Sequence, residues 1–449
     1  MPNLVYNVND RPPVLKTIIF ALQQLLAILA ATIAVPAAIG HGMSQAAALF
    51  GAGFGTLVYL LFTKFKSPVF LGSSFAYLGS MAAAFAGAVS ASAGYLGLIL
   101  GAVVAGLIYV ILGLINKKTG TAWLNKIMPP VVIGSTVAII GLSLAGNAVS
   151  DIFKGSMPEA SSWLALLCGI VTLLVTILCS VYGKKMLKMI PFIIGILAGY
   201  LLASIFTIIG HISDNPALII INFSTFKEMS WNPDFAFVKA FSSFSDFENA
   251  GQFFSYLLTI VIAYLPVAFV SFAEHIADHK NLSSIIGTDL LENPGLSRTL
   301  MGDGVGSIAG AFFGGCPNTT YGESVGCVAI SGNASVITIL ITSIMAMALS
   351  FLAPFVTLLA TIPPCVMGGV CMALYGFIAV SGLKMLQPLD FNDNKNLFVA
   401  SVILIAGVGG FVLQFRNGEG KLIVEITNIA CALILGIIVN ILVHIKKEK

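Results

Sequence analysis

The chain has 449 residues, 58% hydrophobic and 9% charged, about a third of the ~25% charged share of soluble globular domains. That balance excludes a soluble enzyme or nucleic-acid binder and leaves a polytopic membrane protein with no room for a large soluble domain. The net charge of +3 says little by itself, and the seven cysteines, with no CxxC pair, indicate neither a disulfide framework nor a zinc site.

In chain order, the tail Met1 to Leu15 is too polar and Pro-rich for a signal peptide, so the first apolar run is expected to be a retained helix. Apolar runs fall near 17–39, 43–63, 69–87, 95–115, 128–147, 162–182, 189–209, 253–275, 300–314, 322–331, 335–352, 355–381, 396–414 and 422–445, which predicts fourteen spans. The third and tenth are short, and each follows a proline (Pro68, Pro317) and opens on polar, Gly-containing sequence, LGSSFAY and NTTYGES. Irregular backbone at membrane depth is tolerated only where protein or a cavity satisfies it. The fifth run opens on Met128-Pro-Pro-Val-Val-Ile-Gly134 and the twelfth on Ile362-Pro-Pro-Cys-Val-Met-Gly368. Seven spans separate the two copies, as they separate the two broken runs. An odd separation reverses direction, the signature of an inverted-topology repeat with a substrate site near the midplane. The repeats are expected over residues 1–210 and 252–449, joined by a polar, aromatic-rich external linker over 211–251.

The basic residues alternate along this pattern. Lys64, Lys66, Lys117, Lys118, Lys126, Lys184, Lys185, Lys188, Lys280, Arg298, Lys384, Lys395, Lys446, Lys447 and Lys449 lie at alternate span ends, and with Arg11 and Lys16 they make 17 of the 22 Lys and Arg. By the positive-inside rule these ends are cytoplasmic, which puts both termini inside and requires an even number of spans.

Two carboxylates sit where lipid is expected, Glu274 at the end of the eighth run and Glu323 in the broken tenth. A carboxylate at the bilayer centre costs roughly 2.5–3.5 kcal/mol on insertion scales, so it tends to line a cavity, a substrate site or a proton path. Around them stand His275, Asp278 and His279, with Tyr321 and Gly322 on one broken run and Gly72 to Tyr77 on the other. Half-helix N–H groups donate to carbonyl oxygens and carboxylates accept from ring N–H groups, so a small polar ring fits this set. Phe75 and Tyr77 offer stacking faces. In the ninth run Gly302, Gly306, Gly310 and Gly314 form a ridge expected to pack on the broken helices. Asp303 beside it reads either as a solvated helix-end residue or as a buried partner of the site. One decoy occurs: Gly322 to Gly326 matches GxSxG around Ser324, but that elbow needs a strand, a sharp turn and a downstream histidine, and the only later one is His444. HExxH is absent from the sequence.

At LGSSFAY (71–77), AEHIADH (273–279), GDGVGSIAGAFFGGCPNTTYGESVG (302–326) and PPCVMGGVCMALYG (363–376) the chain resembles the nucleobase-ascorbate transporter (nucleobase:cation symporter-2) family, on its uracil permease branch. PNTTYGE is specific to that branch, since purine and xanthine relatives tend to carry Gln where this chain has Glu323. The resemblance implies fourteen spans in two inverted repeats of seven, a core domain of spans 1–4 and 8–11, a gate domain of spans 5–7 and 12–14, and short strands in spans 3 and 10. It implies that Glu274 and Glu323 bind the pyrimidine N–H groups and that the backbone amides of Phe75 and Gly322 meet its carbonyls. Tyr321 and Ser74 would support the site and Tyr375 would pack near it from the gate. Proton coupling falls to Glu274, with Asp278, His279 and Asp303 as further candidates; homodimerisation through the gate is also implied. The chain departs from the family in Ser324 and Ser331, where Asn and Thr are usual, and in Asp278, where some uracil permeases have His; Gln24 replaces the His of several purine relatives.

The resulting expectation is an all-α membrane protein, not an enzyme, that imports uracil with protons. It needs no cofactor beyond the coupling proton, binds no nucleic acid, and sits in the cytoplasmic membrane. The alternatives are a purine or xanthine permease of the same family, an anion exchanger of the same architecture, and an intramembrane hydrolase using Ser324.

Overall fold

The computed structural model describes residues 4–120, 126–184, 186–416 and 422–444. Lys185, Lys446, Lys447 and Lys449, used in the charge pattern above, lie outside the described residues. The helices are α1 Val14–Ile39, α2 Gln45–Phe62, α3 Leu78–Ala86, α4 Ala91–Thr119, α5 Pro130–Ser143, α6 Ala145–Asp151, α7 Ser162–Tyr182, α8 Pro191–Ile212, α9 Ala236–Phe241, α10 Ala250–Ile286 and α11 Leu296–Gly314. They continue with α12 Gly322–Ser331, α13 Val336–Leu349, α14 Ala353–Ala360, α15 Pro364–Leu386, α16 Asn394–Val408 and α17 Asn428–His444. Four short strands complete the set: β1 Leu71–Ser73, β2 Asn318–Thr320, β3 Leu413–Arg416 and β4 Leu422–Ile426.

The helix starts follow local chemistry. Ser44, Ser90 and Asn249 cap α2, α4 and α10 by accepting from the amides of Ala47, Ala93 and Gln252. Pro130 and Pro364 open α5 and α15 at the first helical position, where the missing N–H costs nothing. Among the described residues, eight helical stretches are long and apolar enough to cross a membrane, or nine if α13 and α14, bent by 86°, form one span. Large apolar side chains point outward, among them Trp163, Ile212 and Ile405, the reverse of a soluble surface. The molecule is a helical, multi-spanning membrane fold.

Close helix crossings set its interior. The two Pro-Pro helices pack on each other: a Cβ on Gly382 would run into the Gly134 carbonyl, one on Gly141 into the Tyr375 carbonyl, and one on Gly368 into the Ala148 carbonyl. As the residue number rises on α5 and α6 it falls on α15, so the copies cross antiparallel. The glycine ridge of α11 corrects an expectation. Its main partner is the unbroken α2, where Gly306 faces Gly55 and Gly314 faces Ala47 and Ala48; the broken segments add only Leu71 and Asn318. Those small residues let the two backbones touch directly.

The end of the chain also differs from the run predicted for it. The 422–445 stretch begins as β4, paired antiparallel with β3 (Leu413 opposite Ile426, Phe415 opposite Val424), and the helix starts only at Asn428. The alternation Leu-Gln-Phe-Arg and Leu-Ile-Val-Glu-Ile around Asn417-Gly418 was the hairpin signal, outweighed in reading by raw hydropathy. Within 211–251 the chain forms 3-10 turns and α9. Lys239 of α9 pairs with Asp234, donates to the Gly42 carbonyl at 3.1 Å and lies 4.6 Å from the Tyr95 ring centre, so this segment is pinned onto the loop before α2 and onto α4.

Candidate functional site

Pro68 and Pro317 each stop helix formation, and the three residues that soon follow pair across the molecule. Leu71 lies opposite Thr320, Gly72 opposite Thr319 and Ser73 opposite Asn318, antiparallel. The ladder continues through Ser74 N–H to the Pro317 carbonyl at 2.9 Å and Tyr321 N–H to the Phe70 carbonyl at 3.2 Å. Buried backbone here is therefore satisfied by protein, as membrane depth requires. From this pair the chain enters a 3-10 turn, Phe75–Tyr77, leading to α3 on one side and α12 from Gly322 on the other. The first N–H groups of each helix have no partner within that helix and carry its positive end. Tyr321 locks the two halves: its hydroxyl donates to the Ser73 carbonyl at 2.8 Å, and its ring fills the space a side chain on Gly72 would need.

Helix α10 passes this junction and divides Glu274, His275, Asp278 and His279 between two faces at helical spacing. Asp278 turns to β2, accepting from the Thr320 hydroxyl at 2.7 Å, and its other oxygen would lie 3.7 Å from a methyl placed on Gly322. Glu274, one turn away, is half-buried, and its Oε2 is buried with no hydrogen-bond partner among the described residues. Glu323 is half-buried in the first turn of α12, whereas Gly322 is exposed and Gly326 faces open space. His275 and His279 turn away. His275 Nδ1 meets Asp303 at 2.6 Å and Nε2 meets Thr299 Oγ1 at 3.0 Å; His279 Nε2 meets the Tyr59 hydroxyl at 2.7 Å and its Nδ1 the His275 carbonyl at 2.8 Å.

The expected cluster is thus two sets. One is a carboxylate face toward the strands; the other is a buried strut tying α10 to α2 and α11. Asp303, 1% exposed, is a buried partner rather than a solvated helix end. Ser324 is fully buried and its hydroxyl accepts from the Phe70 amide at 3.1 Å and from Gln24, so it braces α1, α12 and the chain before β1. Ser74 is fully buried with its hydroxyl unpaired. Phe75 packs edge-on against Tyr375 of α15, ring centres 5.2 Å apart, and beside Tyr375 an apolar hollow of about 140 Å³ is lined by Gly141, Leu142, Met372 and Gly376. Reading by residue type missed Thr320, Tyr59 and Thr299. Thr320 stands inside PNTTYGE but its residue type gives it no role there, Thr299 belongs to no motif, and Tyr59 lies 220 positions from its partner His279.

Half-helix amides beside carboxylates, with an aromatic pair at the edge, present donors and acceptors together in one small space. In a helical membrane fold such a junction is suited to holding a small polar molecule. The Permease family model matches residues 15–415. The uracil permease of Bacillus subtilis (strain 168) is 38% identical over 448 residues, covering 98% of this chain and 96% of the relative. The uracil permease of Escherichia coli (strain K12) is 35% identical, covering 98% and 95%. The transmembrane domain of a cyanobacterium bicarbonate transporter, BicA, shares the fold with a TM-score of 0.65 at 16% identity, covering 97% of this chain and 99% of that one. Murine Slc26a9, an anion transporter, gives 0.62 at 14% identity, covering 97% and 69%. The chain belongs to the Permease family, the nucleobase-ascorbate transporter family of the sequence motifs, on its uracil-permease branch.

Proposed function

We propose that this protein imports uracil across the cytoplasmic membrane by proton-coupled alternating access. The observation that carries the reading is Glu274 Oε2, buried and unpaired beside a junction that already holds Glu323 and the amides of Phe75 and Gly322. An orphan carboxylate oxygen costs free energy unless a donor arrives, and the ring N–H of uracil is such a donor. Glu274 and Glu323 take the N–H groups, the two amides take the carbonyls, Tyr321 and Ser74 hold the strand pair, and Tyr375 closes on Phe75. The coupling proton resides first on Glu274, with Asp278, His279 and Asp303 as the further groups in its path. The likeness to relatives named uracil permease supports the choice of pyrimidine.

The architecture proposed with it is fourteen spans in two inverted repeats, 1–210 and 252–449, with the linker 211–251 outside, both termini inside and a homodimer formed through the gate domain. The antiparallel crossing of the two Pro-Pro helices and the antiparallel strand pair support the inverted relation. The test is uptake of labelled uracil by purified protein in liposomes under an imposed pH gradient, competed by uracil, thymine, xanthine, hypoxanthine and ascorbate. Selective competition by pyrimidines is expected. Competition by purines alone, or accumulation indifferent to the pH gradient, refutes the proposal.

A further inference from the structure

The N-terminal tail is stitched to the far end of the helix that carries Glu323. Val5 and Tyr6 donate their N–H groups to the Gly332 carbonyl at 2.8 and 3.2 Å, Ala334 N–H donates to the Tyr6 carbonyl at 2.9 Å, and Val336 N–H to the Val8 carbonyl at 3.1 Å. The Ser335 hydroxyl adds a bond to the Asp10 carbonyl at 2.6 Å, and Tyr6 pairs in parallel with Asn333. The tail is itself shaped: the Asn7 amide donates to the Asp10 carboxylate at 2.7 Å, and the Tyr6 ring meets Phe20 of α1 edge-on at 6.1 Å. The loop it covers is not a surface loop, because Asn333, Ala334, Ser335 and Val336 are all buried.

Two groups served by the tail belong to helix ends. Gly332 follows the last residue of α12, and Val336 is the first residue of α13, whose N–H has no acceptor within its own helix. Ten-residue α12 is held at its start by β2 and at its finish by the tail. A helix that short has little cooperative stability of its own. Where its last turn rests therefore sets where its first turn, with Gly322 and Glu323, meets substrate.

We infer that residues 5–10 are a positioning element for substrate binding: a strand-like clamp that fixes α12 and, through it, Glu323. This inference rests on the uracil reading above. The measurement is calorimetric uracil binding to full-length protein bearing Val5→Pro, which deletes one clamp donor, and Val5→Ala as its conservative control. Uracil binding is expected to weaken roughly tenfold in Val5→Pro, as loss of about one well-formed bond allows, and to stay unchanged in Val5→Ala. Ala334→Pro removes a donor from the loop side; its effect and that of Val5→Pro should combine less than additively, since both open the same contact. Hydrogen exchange on the unaltered protein gives a readout independent of any variant: saturating uracil should slow exchange at Ala334 and Val336. Parental affinity in Val5→Pro, or exchange at those amides indifferent to uracil, overturns the clamp. Unaltered protein that fails to bind uracil overturns the functional reading instead.

Discussion

Removing the Asp303 carboxyl tests whether the buried strut holds α10 in place. His275 is fully buried and Asp303 1% exposed, with 2.6 Å between Nδ1 and the carboxylate. The Thr299 hydroxyl, which also reaches the Leu296 carbonyl at 3.1 Å, contacts Nε2 at 3.0 Å, so both ring nitrogens of His275 are held. Breaking a buried pair by deleting one partner costs about 3–5 kcal/mol. Among the described residues Asp303 Oδ1 has no partner, so deletion also relieves a small cost, which places Asp303→Ala at about 3 kcal/mol. With an unfolding entropy of about 2.1 cal/mol/K per residue, 449 residues give roughly 0.9 kcal/mol per degree, hence a fall of about 3 °C in Tm. Asp303→Asn can donate its amide to Nδ1 of a neutral ring and loses only charge assistance, about 1 kcal/mol or ~1 °C. The assay is thermal unfolding of purified protein in one detergent at one scan rate. An Ala variant within a degree of the parent, or an Asn variant as unstable as Ala, would refute the strut.

Three further outcomes bear on the site and the fold. Glu323→Ala should weaken uracil binding by roughly 10–100-fold, the worth of one charged hydrogen bond, and unchanged calorimetric affinity would remove Glu323 from the substrate. Glu274→Gln in liposomes should abolish accumulation driven by a pH gradient while leaving the protein folded; undiminished accumulation sinks its coupling role. Gly382→Val forces a side chain into the Gly134 carbonyl and Ala138, an overpacking worth about 1–3 kcal/mol; parental melting and uptake would show that α5 and α15 do not need this close approach.

Much of the fold was legible because hydropathy and helix breaking are local. The runs around residues 69–87 and 322–331 stand out by a proline followed by polar, Gly-containing sequence, and each is a short helix joined to a strand, β1 inside the first run and β2 just ahead of the second. The Pro-Pro echo marked two helices that cross antiparallel. The β4 half of the hairpin with β3 is hidden within the apolar run of the last span, because five apolar-rich residues look alike in a strand and at the start of a helix. The glycine ridge was recognised, but its partner was not, since spacing identifies a face and not what lies against it.

The sequence alone determined that this chain lives in lipid, where its backbone must break, and which carboxylates fall in or beside its apolar runs, all properties of short stretches read against the cost of polar groups in hydrocarbon. Only the tertiary structure decided that Glu274 and Asp278 serve one face of α10 while His275 and His279 serve another, and that Asp303 is buried. Four polar residues within six positions have no preferred partner until helices from distant parts of the chain surround them. Packing then leaves each side chain one neighbour, such as Thr320 for Asp278 and Tyr59 for His279, and that choice is absent from any local pattern.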